Sequence, residues 1–177
     1  MMSKRTDFEK MPQDFYPTFD KNALRPEFVN SISDRTFAEP CCGEGDLINL
    51  LQHMAECKWK SDIIDRDINA TIKSAMELTK EDVADCDIIV TNPPYTREIV
   101  LPMIKHFATL KPTWLLLPAD WMCNVYFRPY LDCCSKIIAI GRMSWIKDTK
   151  SKSTENFCWY YWDKGFEKTQ TTFIGRG

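Results

Sequence analysis

The sequence predicts an α/β fold with a mainly parallel, doubly wound sheet. Apolar segments of strand length alternate along the chain with segments of helical periodicity, which is the pattern of βαβ units. The apolar run at 87–91, Asp-Ile-Ile-Val-Thr, predicts a buried strand, and two prolines end it at once. A Gly-x-Gly turn at 43–45 stands between another predicted strand and a helix, as expected at the carboxyl edge of such a sheet.

The individual elements are justified in chain order by periodicity and by turn residues. An extended segment and a short helix are expected within 14–30, and a strand ends at 36–38. Leu47, Leu51 and Met54 lie at helical spacing after the glycine turn, and Val100, Ile104 and Phe107 lie on one face of a helix over 99–110. The other predicted strands, of which the last two are candidates for a hairpin, are 60–64, 87–91, 113–117, 136–140 and 157–162.

Length and composition restrict the protein class. The 177 residues suit one domain, and 44% hydrophobic residues argue against disorder. Residues 1–13 are charged and expected to be flexible, so we assign the domain to 14–177. No apolar stretch is long enough to span a bilayer and no secretory signal is evident, which predicts a cytoplasmic protein. The net charge of −2 argues against tight DNA binding by charge alone.

The cysteines are interpreted as free thiols. The chain has eight cysteines but no C-x-x-C spacing, and it has only two histidines. A zinc site needs four such ligands at characteristic spacings, so no metal is expected.

Asn92-Pro93-Pro94-Tyr95 is the most informative motif. The two prolines turn the chain outward at the carboxyl end of a buried strand, where open α/β sheets bind ligands. An amide oxygen and a fixed backbone carbonyl can both accept hydrogen bonds from one amino group, while the aromatic ring stacks on a planar base. The motif therefore predicts a site for the exocyclic amino group of a nucleobase.

The glycine turn predicts a site for a cationic ligand. Gly43 and Gly45 permit positive φ and close approach to the backbone. Glu39 and Asp46 make the loop too acidic for a phosphate, and the chain has no P-loop lysine there. An acidic residue after the next strand would bind ribose hydroxyls; Asp62 and Asp65 both qualify, and either could instead be an ordinary strand-end or helix-cap carboxylate.

Together these motifs resemble the class I S-adenosylmethionine-dependent DNA adenine-N6 methyltransferases, with small phage-type or prophage-type members most alike. The resemblance rests on the segments 39–47, 61–63 and 91–95, with supporting likeness at 15–18, 141–142 and 157–163, and covers about 14–165. It implies a Rossmann-like class I methyltransferase domain with a C-terminal antiparallel strand, S-adenosylmethionine as the cofactor and DNA as the substrate.

The resemblance also implies roles for individual residues. The catalytic set would be Asn92, Pro93, Pro94 and Tyr95. The cofactor-binding set would be Tyr16, Thr18, Glu39, Pro40, Gly43, Gly45, Asp62, Met76 and Asn92, with Glu77 as a further polar candidate. In this family the methionine part of the cofactor would lie against Glu39 and the glycines, and the adenine near Met76.

Nucleic-acid contacts and partners are less constrained. The candidates for phosphate contacts are Arg128, Arg142, Lys147, Lys150 and Lys152, with Lys136 as a further one; an ordinary solvated surface is the alternative for all of them. Trp145 could stack on a base or belong to the core, and Trp121 could help shape the base pocket or pack in the core. We expect no separate target-recognition domain. The recognised sequence would then be short or loosely defined, or a homodimer or specificity subunit would supply the specificity.

Three alternative functions stay open. The same corner could hold an RNA adenine or a protein glutamine amide. Cytosine-N4 enzymes usually carry serine where this chain has Asn92. The chain could also be a non-catalytic cofactor-binding subunit.

Overall fold

The structure, a computed structural model, describes residues 16–148 and 152–177 and contains one eight-stranded sheet. The expected flexible segment 1–13 lies outside the described residues. The strand order is β3-β2-β1-β4-β5-β7-β6-β8. The strands are β1 (Thr36–Glu39), β2 (Glu56–Asp62), β3 (Thr71–Ile72), β4 (Ile88–Thr91), β5 (Thr113–Pro118), β6 (Lys136–Arg142), β7 (Asn156–Trp162) and β8 (Thr172–Ile174).

The helices connect these strands. They are α1 (Pro26–Ile32), α2 (Asp46–Leu51), α3 (Arg97–Leu110) and α4 (Arg128–Leu131). Short 3₁₀ turns lie at Lys21–Ala23, Ala75–Glu77, Ala119–Cys123 and Val125–Phe127.

The sheet is mainly parallel, as predicted. Strand β7 runs antiparallel to both of its neighbours, β5 and β6, and the other strand pairs are parallel. β6 and β7 form the expected antiparallel pair, but β7 is not the last strand, because β8 adds to β6 in parallel. The carboxyl ends of β1, β2, β4, β5 and β6 therefore meet at one edge of the sheet.

The core has one layer on each face of the sheet. Successive residues of β5 alternate between the layers: Leu115 and Leu117 pack with α3, whereas Trp114 and Leu116 pack with α1 and α2. All six residues of β5 are buried, because a central strand of a doubly wound sheet is covered on both sides. The predicted inward face of α3 is confirmed, since its residues Val100, Ile104 and Phe107 are fully buried.

Three elements differ from the sequence prediction. β2 begins at Glu56 and ends at Asp62, rather than spanning 60–64, and β3 and β8 were not predicted. β2 is only partly buried and carries charged residues, so it lacks an apolar run. β3 and β8 are edge strands of two and three residues, too short for a local pattern.

Candidate active site

A cleft of about 700 Å³ opens at the carboxyl edge of the sheet. Five segments line it: 16–18, the loop from β1 into α2, the end of β2, residues 74–76, and the corner after β4 together with the first part of α3. Each segment leaves or approaches the sheet at the same edge. The cleft is therefore where the fold gathers most of the predicted site residues.

Glu39 is a buried carboxylate in the wall of this cleft. It ends β1, is 2% exposed and lines the cleft. Its Oε2 has no hydrogen-bond partner within the described part of the chain. Burial raises the pKa of Glu39 well above its ordinary value, and the nearby Asp62 and Asp46 raise it further. A cation in the cleft would relieve both effects, so the donor set suits a positively charged ligand.

The two glycines of the loop adopt left-handed backbone conformations, as predicted. Gly43 has φ 51° and Gly45 has φ 81°. Gly43 lines the cleft, whereas Gly45 does not line it and instead forms the N-cap of α2. Pro40 also lines the cleft.

Asp62, and not Asp65, lies in the cleft. The Oδ2 of Asp62 accepts a hydrogen bond from the Gly43 N–H at 2.8 Å, and its Oδ1 accepts one from the Ile64 N–H at 3.1 Å. Asp65 is exposed, accepts from the Asp67 N–H and does not line the cleft. Asp62 thus braces the glycine loop and keeps lone pairs that could accept from ligand hydroxyls.

Apolar side chains cover another part of the wall. Met76, which the sequence predicted, lines the cleft and is 42% exposed. Ile63 and Ile99 also line it, at 64% and 45% exposed, and the sequence analysis missed both. That an isoleucine follows Asp62 was visible in the sequence, but its exposure is known only from the structure. Glu77 instead accepts from the Ser74 N–H in a capping box and does not line the cleft.

The side-chain amide of Asn92 is fully hydrogen-bonded on its nitrogen. Nδ2 donates to the Tyr16 carbonyl at 2.8 Å and to the Thr18 Oγ1 at 3.0 Å. Oδ1 accepts from the Tyr95 hydroxyl at 2.5 Å. Asn92 and Pro94 line the cleft, whereas Pro93 is buried.

Tyr95 belongs to an aromatic cluster formed by Tyr16, Tyr95, Trp145 and Phe157. Its ring stacks on Tyr16 with centroids 5.3 Å apart and an interplanar angle of 20°. Phe157 contacts the Tyr95 ring, Trp145 contacts the Tyr16 ring, and Phe157 and Trp145 contact each other. Tyr16 lines the cleft but Tyr95 does not, so in this structure the Tyr16 ring lies on the ring that was expected to stack on a base.

Comparison with solved structures finds the same architecture in methyltransferases. A candidate RNA methyltransferase from Pyrococcus horikoshii has a TM-score of 0.59 at 13% identity, over 81% of this chain and 81% of that chain. A predicted O-methyltransferase from Agrobacterium tumefaciens has a TM-score of 0.54 at 10% identity, over 88% and 85%. No protein-family model matches the sequence, and no curated protein matches it.

A third similar structure belongs to a restriction enzyme. The modification subunit of a candidate type I restriction enzyme from Vibrio vulnificus YJ016 has a TM-score of 0.55 at 11% identity and covers 91% of this chain. The match covers 46% of that subunit, so the present chain spans less than half of its length.

This chain has the class I methyltransferase fold. Its sheet order, with one antiparallel strand between two parallel neighbours, agrees with that assignment. The predicted fold class is confirmed.

The predicted phosphate-contact residues are dispersed on this methyltransferase fold. Arg142 is exposed at the end of β6, on the same edge as the cleft, whereas Arg128 is exposed at the start of α4. Lys152 is exposed, and Lys150 lies outside the described residues. Lys147 forms an ion pair with Asp46, Nζ to Oδ1 at 2.7 Å.

The two tryptophans differ in environment. Trp121 is 8% exposed and packs in the core, while Trp145 is half-buried in the aromatic cluster. Trp121 is therefore a core residue.

The cysteines at the cleft are not equipped as nucleophiles. All eight cysteines are free thiols. Cys41 and Cys42 line the cleft, and burial is the main cause that raises the pKa of both, that of Cys42 to about 12. Both thiols are therefore protonated at neutral pH.

Within residues 16–148 and 152–177, no group of three or more His, Cys, Asp or Glu side chains is arranged to hold a metal ion. Nor does any helix there have the length and apolar character needed to cross a membrane.

Proposed function

We propose that this protein transfers a methyl group from S-adenosylmethionine to the exocyclic N6 amino group of adenine in DNA. The observation that carries the proposal is the hydrogen bonding of Asn92, which lines the cleft: Tyr16 and Thr18 accept both hydrogens of its amide nitrogen, and its Oδ1 accepts from the Tyr95 hydroxyl. An amide oxygen held in this way is a fixed acceptor for an amino group.

The cleft fits the cofactor on three counts. The Glu39 carboxylate is buried, and its Oε2 has no hydrogen-bond partner among the residues that the structure describes, so it suits the ammonium and sulfonium charges. Asp62 lies where it could accept from the ribose hydroxyls, and Ile63 with Met76 offers apolar surface to an adenine ring. When bound, S-adenosylmethionine supplies an electrophilic methyl group on a positively charged sulfur.

The corner residues would act on the target base. Adenine must leave the base stack to reach the site, at a cost of a few kcal/mol. In this proposal the Asn92 Oδ1 and the Pro93 carbonyl accept the two amino hydrogens. The nitrogen lone pair is thereby directed to the methyl group, and positioning of this kind can supply a large part of the rate. No strong general base is needed, since the nitrogen loses its proton after it has become cationic.

Tyr95 would stack on the flipped base. In the structure its ring is stacked on Tyr16, so base entry requires the Tyr16 ring to move or the base to take its place. Aromatic stacking is worth about 1–3 kcal/mol per base.

The family resemblance points to DNA, and the Glu39-Pro40 opening of the loop resembles the DNA enzymes more than the protein-glutamine enzymes. The fold is shared with a candidate RNA methyltransferase and with the modification subunit of a candidate type I restriction enzyme. We assign 14–177 to one catalytic domain and attribute sequence recognition to a short contact surface, a homodimer or a specificity subunit.

The test is methyl transfer from labelled S-adenosylmethionine to unmethylated genomic DNA and, in parallel, to RNA, with nucleoside analysis of the products. N6-methyladenine in DNA from the wild type, and none from Asn92→Ala, is the expected result. Label only in RNA would redirect the substrate assignment. Cofactor binding by calorimetry without transfer to either polymer would contradict the proposal and favour a protein substrate or a non-catalytic subunit.

A further inference from the structure

We infer that Thr18 is a positioning residue that, together with the Tyr16 carbonyl, holds the Asn92 amide in the orientation that leaves its oxygen for the substrate. The inference rests on the proposed function of Asn92. Thr18 is 3% exposed, and its Oγ1 accepts a hydrogen bond from the Asn92 Nδ2 at 3.0 Å. The resemblance placed Thr18 among the cofactor contacts, so a role through Asn92 is a different one.

The orientation of the amide matters because its two ends have nearly the same shape but opposite hydrogen-bonding character. The oxygen accepts and the NH2 group donates, so a reversed amide would present donors to a substrate amino group that also donates. Such a reversal would remove the acceptor on which the proposed chemistry depends. Something in the protein must therefore hold one orientation.

One of the three groups around Asn92 can bind only one end of the amide, and the other two, which are hydroxyls able to donate or accept, complete the hydrogen bonds of that orientation. The Tyr16 carbonyl can only accept, so it binds the NH2 group and not the oxygen. Thr18 Oγ1 accepts the second amide hydrogen, which leaves no hydrogen of that NH2 group unpaired. The Tyr95 hydroxyl donates to Oδ1. An amide oxygen has two acceptor sites, so Oδ1 keeps capacity for one further donor.

The segment that carries Thr18 is itself anchored. Asp20 accepts through Oδ1 from the Asn22 N–H at 2.9 Å and through Oδ2 from the Ser144 N–H at 2.7 Å. The segment is thereby tied to the residues that follow β6 as well as to the corner after β4. A buried hydroxyl on an anchored segment loses little additional freedom when it holds another side chain.

The experiment compares Thr18→Val, which keeps the shape and removes the acceptor, with Thr18→Ser, which keeps the oxygen. Thr109→Val on the exposed face of α3 controls for a threonine-to-valine change elsewhere. We expect Thr18→Val to lower kcat about 10- to 100-fold, the scale on which loss of a partner that orients a functional group acts at metal sites. The dissociation constant for S-adenosylmethionine should stay within about twofold, and Thr18→Ser should recover most of the rate.

A second readout does not depend on turnover. In ¹⁵N-labelled protein, the Asn92 side-chain NH2 resonances, assigned by their loss in Asn92→Asp, should shift or broaden in Thr18→Val and not in Thr109→Val. Unchanged resonances with unchanged kcat would overturn the inference. So would a loss confined to cofactor affinity, which is the signature of a cofactor contact. If the wild type methylates nothing, the proposed function fails, while the resonances still decide whether Thr18 orients the amide.

Discussion

Lys147 and Asp46 form an ion pair at the cleft, with the Lys147 Nζ 2.7 Å from the Asp46 Oδ1. The Asp46 side chain is 12% exposed and lines the cleft, whereas that of Lys147 is 55% exposed. The pair joins the segment after β6 to the first turn of α2. Lys147, which the sequence predicted to contact phosphates, is thus paired with the carboxylate at the start of α2. The hydrogen bond to Asp46 raises the pKa of Lys147.

The first prediction concerns this pair. Lys147→Gln leaves the Asp46 charge uncompensated, so a cationic ligand in the cleft should bind more tightly, by about two- to fivefold at low salt. The gain should shrink as salt rises, because the pair is partly exposed. Calorimetric titration of S-adenosylmethionine at two salt concentrations measures it. Lys152→Gln is the matched control, and weaker binding in Lys147→Gln alone would contradict the electrostatic account.

The second prediction concerns the Glu39 carboxylate and cofactor affinity. Because the pKa of Glu39 is raised, the residue becomes fully charged only as pH rises through that raised value. Affinity for the cationic cofactor should therefore increase with pH across that window, by up to about tenfold per pH unit. Glu39→Gln should bind S-adenosylmethionine more weakly and lose this dependence. A pH profile that is the same in both proteins would count against Glu39 as the cation partner.

A third prediction follows for stability in the absence of ligand. The folded protein binds the Glu39 proton more tightly than the unfolded chain, so between the ordinary and the raised pKa the native state holds more protons. The Glu39 contribution to the free energy of unfolding therefore falls as pH rises through that window. Glu39→Gln should have a higher Tm than the wild type above the window, with the difference shrinking toward acid pH. Thermal melts across that range test the sign.

The fourth prediction distinguishes the two aspartates. Asp62→Ala removes the acceptor of the Gly43 N–H and should weaken cofactor binding by about 10- to 100-fold, since a braced loop and a ligand contact are lost together. Asp65 is exposed and lies outside the cleft, so Asp65→Ala should change the affinity for the cofactor less than twofold. Equal effects of the two substitutions on the measured Kd would refute the placement of the ribose at Asp62.

The fifth prediction separates the ring of Tyr95 from its hydroxyl. Tyr95→Ala removes the stacking surface and should raise KM for DNA about 5- to 100-fold. Tyr95→Phe keeps the ring and removes the donor to the Asn92 Oδ1. It should therefore lower kcat rather than raise KM, and its effect should be smaller than that of Tyr95→Ala. Steady-state kinetics with Tyr126→Phe as the control for hydroxyl removal distinguish these outcomes. If Tyr95→Ala left KM unchanged, the ring would have no part in base capture.

Much of the fold was predictable because its central elements carry local signals. β4 is an apolar run ended by two prolines, and α3 has apolar residues at helical spacing, so each could be located from its own residues. The glycine loop and its left-handed turns were predictable for the same reason. The edge strand β8 was not, since its position depends on pairing with β6 and not on its three residues.

The sequence by itself determined which chemical groups are present at the carboxyl edge: an acid at the end of β1, glycines, an aspartate at the end of β2, and an amide with an aromatic ring after β4. Only the tertiary structure decided how they are arranged. It placed Asp62 and not Asp65 in the cleft, paired Lys147 with Asp46, and placed Thr18 against Asn92, 74 residues away. The physical reason is that periodicity and turn chemistry act over a few residues, whereas these contacts form only when distant strands share one sheet.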